Sequence, residues 1–309
     1  MKKVLITGIE GFVGCYLADY LHARKYSISG IHFAEPKKKI GKLYYCDIRD
    51  YIGVAKIIKK ASPYAIFHLA AQSSVSLSEK NIKDTLAINV QGTLNILEAV
   101  REANIKPRIV YISSCEVYGR SNRQLTEQSQ PSAMSFYAIS KLCAENICRY
   151  YVEHYNFDIV ILRPFSHTGP GQGEQFIFPR VVRKIAEIEA GLAKTVLTVG
   201  NIEVKRDYTD ISDIVRAYHL ALTKCSGGEI YNVTSGKPYS IRSGIEFLIK
   251  QGKKKIKVKI DKSLVRSNDI PLLTGSPKKF IRATGWQPAV DFFTTLTNLL
   301  NYYRIKVRI

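Results

Sequence analysis

Seven short, nearly unbroken apolar runs recur along this chain: KKVLITG, YSISGIHF, KLYYCDI, YAIFHLA, RIVYISS, DIVILRP and EIYNV. A strand that is apolar on both faces has to be covered on both. The segments between most of these runs have the helical spacing to do it. Residues 84–103 place Leu86, Val90, Leu94, Leu97 and Val100 on one stripe, and residues 137–155 repeat the pattern. Continuous apolar strands alternating with amphipathic helices predict an α/β fold, a doubly wound parallel sheet with helices on both faces. From Ser166 the alternation loosens into loops, the helical pattern FPRVVRKIAEIEAG and later segments, while EIYNV returns to the sheet. The expected organisation is a sheet domain over residues 1–165 with a returning segment near 205–235. Residues 166–204 and 236–309 then form a smaller C-terminal substrate-binding lobe.

In such sheets ligands bind beyond the carboxyl ends of the strands. Run one leads into TGIEGFVG, with Gly8, Gly11 and Gly14 at GxxGxxG spacing ahead of a helical pattern. Glycines there allow a tight turn and close backbone approach, and the helix N-terminus presents free N–H groups to a pyrophosphate. In strand-turn-helix context this makes the fold Rossmann-type and predicts a dinucleotide against Gly8, Gly11, Phe12 and Gly14. An acidic residue at the end of strand two would take the adenosine ribose hydroxyls and favour NAD. Strand two ends instead at Ile31, His32 and Phe33, with Glu35 late and Lys37 to Lys39 behind it, a balance that leans toward NADP with NAD possible. Asp47, with Ile48 in CDI, is either an acceptor for the adenine amino group or a turn or helix cap. Ala70 and Ala71 in HLAAQ are small enough at the end of strand four for the cofactor to lie against backbone, with Leu69 beside them.

Strand five ends in SSCEVYG, and 23 residues after Ser114 comes YAISK, with Tyr137 and Lys141 one helical turn apart. Residues at i and i+4 share a helix face, so the ammonium can sit beside the phenol. A nearby cation lowers a phenol pKa that is ordinarily about 10. Tyr137 then exchanges a proton at a carbonyl or carbinol oxygen, with Ser114 as a second hydrogen-bond partner and Lys141 on the cofactor ribose.

Composition narrows the field. No window approaches the roughly 18 uninterrupted apolar residues of a membrane span, and the first run begins next to Met1, leaving no room for a signal peptide. The expectation is a cytoplasmic protein without membrane contact. The six cysteines are scattered, with no CxxC pair or His/Cys cluster, so no metal site is expected. Net charge is +20, but the lysines are dispersed and no nucleic-acid motif accompanies them, so no nucleic-acid partner is expected. The densest run, KKKIKVK at residues 253–259, alternates lysine with Ile256 and Val258 and reads as an exposed, lysine-guarded edge strand.

Gly8, Gly11, Gly14, Ser114, Tyr137 and Lys141 together resemble the extended short-chain dehydrogenase/reductases, in the branch that modifies nucleotide sugars. The resemblance spans essentially the whole chain. It implies a homodimer through a four-helix bundle built from the helices of residues 84–103 and 137–155. In that family the active serine or threonine lies four residues before the tyrosine of a VYG-like sequence, which implies Ser114, four before Tyr118, over Ser113. The segment RPFSHTGPGQG, residues 163–173, resembles RPFNHTGPGQ of the family's GDP-4-keto-6-deoxy-D-mannose reductases. So do TVGNIEVKRDYTDISDIVRAY, YNVTSG and VRSNDIPLLTGSPKKFIRATGW.

The resemblance implies Arg163 at the cofactor, and Ser166, His167 and Asn201 at the sugar nucleotide. Arg206, Arg266 and Asp269 would hold the diphosphate and ribose of a GDP-sugar; forked guanidinium donors match phosphate. The implied activity is NADPH-dependent reduction of the C4 keto group of a GDP-4-keto-6-deoxyhexose to a GDP-6-deoxyhexose such as GDP-D-rhamnose. Ser166 stands where those reductases usually have Asn, and its shorter side chain reaches less far toward the sugar. His167 either touches substrate or braces its Gly/Pro loop.

Ser114-Cys115-Glu116 also matches the Ser/Thr-x-Glu of GDP-mannose 4,6-dehydratases, where Glu116 would be the base; otherwise Glu116 is a structural carboxylate holding the turn. A nucleotide-sugar 4-epimerase and a non-catalytic NADP- or nucleic-acid-binding protein are the remaining readings.

Overall fold

All seven apolar runs become strands of one parallel sheet in the computed structural model, which describes residues 1–36, 38, 40–265 and 269–307. In chain order the strands are β1 (Lys3–Thr7), β2 (Ser27–His32), β3 (Lys42–Tyr45), β4 (Ala65–His68), β5 (Arg108–Ile112), β6 (Ile159–Pro164), β7 (Ser166–Thr168), β8 (Val196–Val199), β9 (Lys205–Asp210), β10 (Ile230–Val233), β11 (Pro238–Ser240), β12 (Lys257–Ile260) and β13 (Leu272–Leu273). The large sheet runs β10-β6-β5-β4-β1-β2-β3. Its order reverses direction at β1 and β4, where Thr7 is in register with Ile31 on one side and His68 on the other. The crevice at that switch point is where a doubly wound sheet holds its ligand.

The central strands are largely apolar because their side chains alternate between two separate cores, while the edge strand β3 is only partly covered. Val4, Ile6, Phe67, Val110, Val160 and Leu162 pack under helices Phe12–His22 and Ile211–Lys224. Leu5, Ile66, Ile109, Tyr111, Ile159 and Ile161 face helices Tyr51–Ala61, Gly92–Glu102 and Phe136–Tyr155. The last of these is fixed at its start by Ser135, whose Oγ accepts from the Ala138 N–H at 3.1 Å.

One helix differs from its expected form. The stripe at residues 84–103 predicts a single α-helix; the structure has α-helix Ile82–Leu86, a π-helical turn Ala87–Gln91 and α-helix Gly92–Glu102. The wider turn brings Asn89 inward, 1% exposed. Its amide donates to the Gln72 carbonyl at 3.1 Å and to Ser140 Oγ at 2.8 Å, and its Oδ1 accepts from the Gln72 N–H at 2.8 Å. A buried amide without such partners is costly, so these bonds hold a turn that apolar spacing cannot reveal.

Strand β9 lies outside the large sheet, pairing with β7, β11 and β13, and the chain rejoins the large sheet through helix Ile211–Lys224 and β10. A further core joins helices Ile177–Glu189, Ile241–Gln251 and Phe292–Lys306 through Phe178, Ile185, Leu248, Leu296 and Leu299. The lysine-rich run supplies β12, which pairs only with β8 among the described residues; Ile256 is buried beside it while Lys257 and Lys259 are exposed. The cysteines are free thiols, four of them buried and Cys143 exposed. Among the described residues no helix is long and apolar enough to cross a membrane.

Candidate active site

A cleft of about 790 Å³ opens over the carboxyl ends of β1, β4, β5 and β6. Gly8, Gly11, Phe12, Gly14, Asp47, Ile48, Leu69, Ala70, Ala71, Ser114, Glu116, Tyr137, Lys141, Ser166, His167 and Arg206 all line it. These residues lie far apart in sequence and meet because loops beyond the large sheet's carboxyl edge, the helix Phe136–Tyr155 and strands β7 and β9 converge there.

The glycine loop is a backbone cradle. Gly8 has φ +68°, and a Cβ on it would stand 2.9 Å from the Ala70 backbone. A Cβ on Gly14 would stand 2.3 Å from the Gly8 carbonyl oxygen. Side chains at these positions would collide with backbone, so the glycines let the loop turn tightly and leave the N-terminus of helix Phe12–His22 open to the cleft, as a dinucleotide's pyrophosphate requires.

Asp47 is a turn residue in this structure and not a helix cap. Its Oδ1 accepts from the Arg49 N–H at 2.9 Å and its Oδ2 from the Arg49 guanidinium at 2.6 Å, and this arginine holds the carboxyl below the usual carboxylate range. The cap of helix Tyr51–Ala61 is Asp50, which accepts from the Gly53 N–H at 3.1 Å.

At the other end of the cleft Tyr137 is buried beside Ser114, whose Oγ accepts from the Glu116 N–H at 3.1 Å. The neighbouring Ser113 also lines the cleft, but its hydroxyl is engaged, donating to the Glu145 carboxylate. The expected lowering of the Tyr137 pKa by Lys141 is not found. Burial raises it above its ordinary value, and only Ser114 among its main influences opposes this. The reason is geometric: the Lys141 ammonium donates to the Ile112 carbonyl at 2.7 Å and stands 5.1 Å from the centre of the Tyr111 ring. Burial also lowers the Lys141 pKa from 10.5 to about 8.

His167 lines the cleft and is also braced. Its ring stacks on Phe12 at 6.4 Å and its Nδ1 meets the Phe165 carbonyl at 3.1 Å; burial lowers its pKa, favouring the neutral ring. Arg206 reaches the Ile270 carbonyl at 2.6 Å, and Asp269 accepts from the Asn201 amide at 3.2 Å. Asn201 and Asp269 stand outside the cleft's lining, and Arg266 lies outside the described residues.

Arg163 does not reach the cofactor cleft. Its guanidinium, 3% exposed, holds the buried Glu145 carboxylate with bonds of 2.9 and 2.5 Å and lies over the Tyr118 ring at 4.7 Å. A residue at a strand's carboxyl end can point into the core instead of the crevice, and only side-chain parity in the folded sheet decides which. The sequence reading also passed over Glu10, Gln72 and Arg49, which line the cleft. Glu10 stands inside the glycine motif, which was the available signal.

The family profile described as GDP-mannose 4,6 dehydratase matches residues 5–299. A GDP-6-deoxy-D-mannose reductase of Pseudomonas aeruginosa is 31% identical over 310 residues, 99% of each chain. A GDP-mannose 4,6 dehydratase of Drosophila melanogaster is 29% identical over 97% of this chain and 85% of its own. Among solved structures, that of RMD from Pseudomonas aeruginosa complexed with NADPH superimposes with a TM-score of 0.89 at 30% identity, covering 99% of this chain and 100% of that one. With a doubly wound sheet, a glycine cradle and the Ser114, Tyr137 and Lys141 constellation on one cleft, the chain belongs to the GDP-mannose 4,6 dehydratase family of extended short-chain dehydrogenase/reductases.

Proposed function

We propose that this chain is an NAD(P)H-dependent reductase of the C4 keto group of a GDP-4-keto-6-deoxyhexose, forming a GDP-6-deoxyhexose such as GDP-D-rhamnose, with NADPH the main donor and NADH accepted. The observation that carries the reading is the convergence of Ser114, Tyr137 and Lys141 with the glycine cradle on one cleft, which sets a phenol proton donor beside a dinucleotide site. The identity to a GDP-6-deoxy-D-mannose reductase supports the substrate class.

The nicotinamide cofactor supplies the hydride to C4. Gly8, Gly11, Phe12 and Gly14 would hold its pyrophosphate, Leu69, Ala70 and Ala71 would lie along it, and Asp47 and Ile48 would border the adenine. Tyr137 donates its proton to O4 as negative charge develops there, and Ser114 hydrogen-bonds the same oxygen. Lys141, on the Ile112 carbonyl at the cleft, would bind the nicotinamide ribose. Ser166, His167 and Arg206 face the sugar nucleotide from β7 and β9, and Asn201 and Asp269 extend that surface. Residues 1–165, with the returning segment, act as the cofactor domain and the remainder as the substrate lobe. A homodimer is supported by an exposed stripe on helix Phe136–Tyr155, with Ile139, Cys143, Asn146 and Tyr150 at i, i+4, i+7 and i+11.

The second reading is a GDP-mannose 4,6-dehydratase, favoured by Glu116 on the same cleft. Incubating the protein with GDP-4-keto-6-deoxy-D-mannose and NADPH, and separately with GDP-mannose alone, separates the two by NMR of the products. A GDP-6-deoxyhexose in the first tube and nothing in the second supports the reductase. A keto sugar in the second tube, formed without added cofactor, overturns it and makes Glu116 the base.

A further inference from the structure

Strand β2 ends without an acidic residue, yet a carboxylate occupies the place where one would act. Glu10, from the middle of the glycine loop, lines the cleft, and its Oε1 accepts from the N–H groups of Phe33 at 3.0 Å and Ala34 at 3.5 Å, the first residues after β2. Its Oε2 is buried and has no hydrogen-bond partner among the described residues. A carboxylate oxygen removed from water without a donor is costly, so this group is under-satisfied. The terminal torsion of a glutamate is broad, and rotation about it turns the second oxygen toward the cleft while the first keeps a backbone donor.

We propose that Glu10 sets the dinucleotide preference of this cleft: its carboxylate accepts hydrogen bonds from the adenosine-ribose hydroxyls and disfavours a phosphate on the 2′ position, so that NADH competes with NADPH. The inference deepens the reductase reading and rests on its dinucleotide site. In a sheet of this type the carboxylate for the ribose ordinarily stands at the end of strand two. Here it is delivered to the same place from the glycine loop, across the hydrogen bonds to residues 33 and 34.

The described cations nearby are already engaged. Arg49 is bound to Asp47 and Asp84, and Lys38 pairs with Asp19 at 2.8 Å. A 2′-phosphate entering beside Glu10 would meet its negative charge, whereas a diol would meet an acceptor. Lys37 and Lys39 lie outside the described residues.

The test is fluorescence titration of the purified full chain with NADH and with NADPH, without sugar substrate, for the wild type, Glu10→Gln and Glu10→Ser. The wild type is expected to bind the two within about tenfold of each other, a gap of about 1.4 kcal/mol. Both variants are expected to weaken NADH and strengthen NADPH, moving the ratio of dissociation constants by about tenfold or more. Glu10→Gln keeps an amide oxygen for the Phe33 N–H, so the loop is retained if Glu10→Ser disturbs it. A wild type that prefers NADPH by more than about a hundredfold, or variants whose ratio stays within about twofold, overturns the assignment while leaving the reductase reading intact. Failure of the wild type to bind either dinucleotide overturns both.

Discussion

Lys141 hydrogen-bonds the Ile112 carbonyl at the end of β5, and Tyr137, one turn earlier on the same helix, stands beside Ser114 just beyond that strand. Helix and strand thus meet at the point where the cleft opens, joined by the Lys141 bond. The phenol is left buried and protonated, and the ammonium is buried at some electrostatic cost.

Removing the phenol hydroxyl tests the acid directly. Tyr137→Phe is expected to lower kcat by about two to four orders of magnitude, with the NADPH dissociation constant changed by no more than about twofold. Steady-state turnover and fluorescence titration on the same preparation check both halves. A variant that kept most of its rate would remove Tyr137 from the chemistry.

The burial of Lys141 makes a pH-dependent contribution to stability with a definite sign. Its pKa is lowered from 10.5 to about 8 by burial, so between those values the folded state binds fewer protons than the unfolded state. Stability therefore rises with pH across that window as the cost of the buried charge is relieved, and the full cost is present below about pH 8. Lys141→Met has no such group. The difference in Tm between wild type and Lys141→Met, measured without cofactor from pH 7 to 10, should move in favour of the wild type as pH rises; a flat difference would contradict it.

The Arg163–Glu145 pair is a structural device behind the active site. Each partner is nearly unexposed, and Glu145 also receives the Ser113 hydroxyl. Arg163→Met leaves an uncompensated buried carboxylate and should cost about 3–5 kcal/mol in urea unfolding. The dinucleotide affinity of the folded variant should stay within about twofold, because the guanidinium does not face the cleft. A selective loss of cofactor binding with little loss of stability would restore Arg163 to the site.

Gly14→Ala probes the cradle. Alanine has the better helix propensity by about 1 kcal/mol, but its Cβ would overlap the Gly8 carbonyl at 2.3 Å. Overpacking of this kind costs about 1–3 kcal/mol, and the displaced loop should weaken NADPH binding about tenfold or more. Unchanged affinity would mean that the loop is not the pyrophosphate cradle.

Much of this molecule was legible before folding because the relevant physics is local. A strand buried on both faces must be apolar along its whole length, so the seven runs announce the sheet, and its order of build places the cleft at their carboxyl ends. The glycine loop, Ser114, Tyr137 and Lys141 were recognisable because a turn, a strand end and an i, i+4 helix face are each encoded within a few residues.

What required tertiary structure was the direction of side chains and the state of their charges. Arg163 sits at a strand end like a true cleft residue, yet its guanidinium goes to Glu145, and the Ser113 hydroxyl at the cleft is taken by the same carboxylate. The Tyr137 pKa depends on burial and on where the Lys141 ammonium turns, neither of which is set by their spacing. Asn89 alters its helix because its partners Gln72 and Ser140 come from distant segments. Glu10 reaches the end of β2 only because parallel pairing of β1 with β2 brings two loops together. Local propensity determined the elements and their chemistry; desolvation and long-range pairing, which exist only once the chain is compact, decided which polar groups face the cleft and which are held in the core.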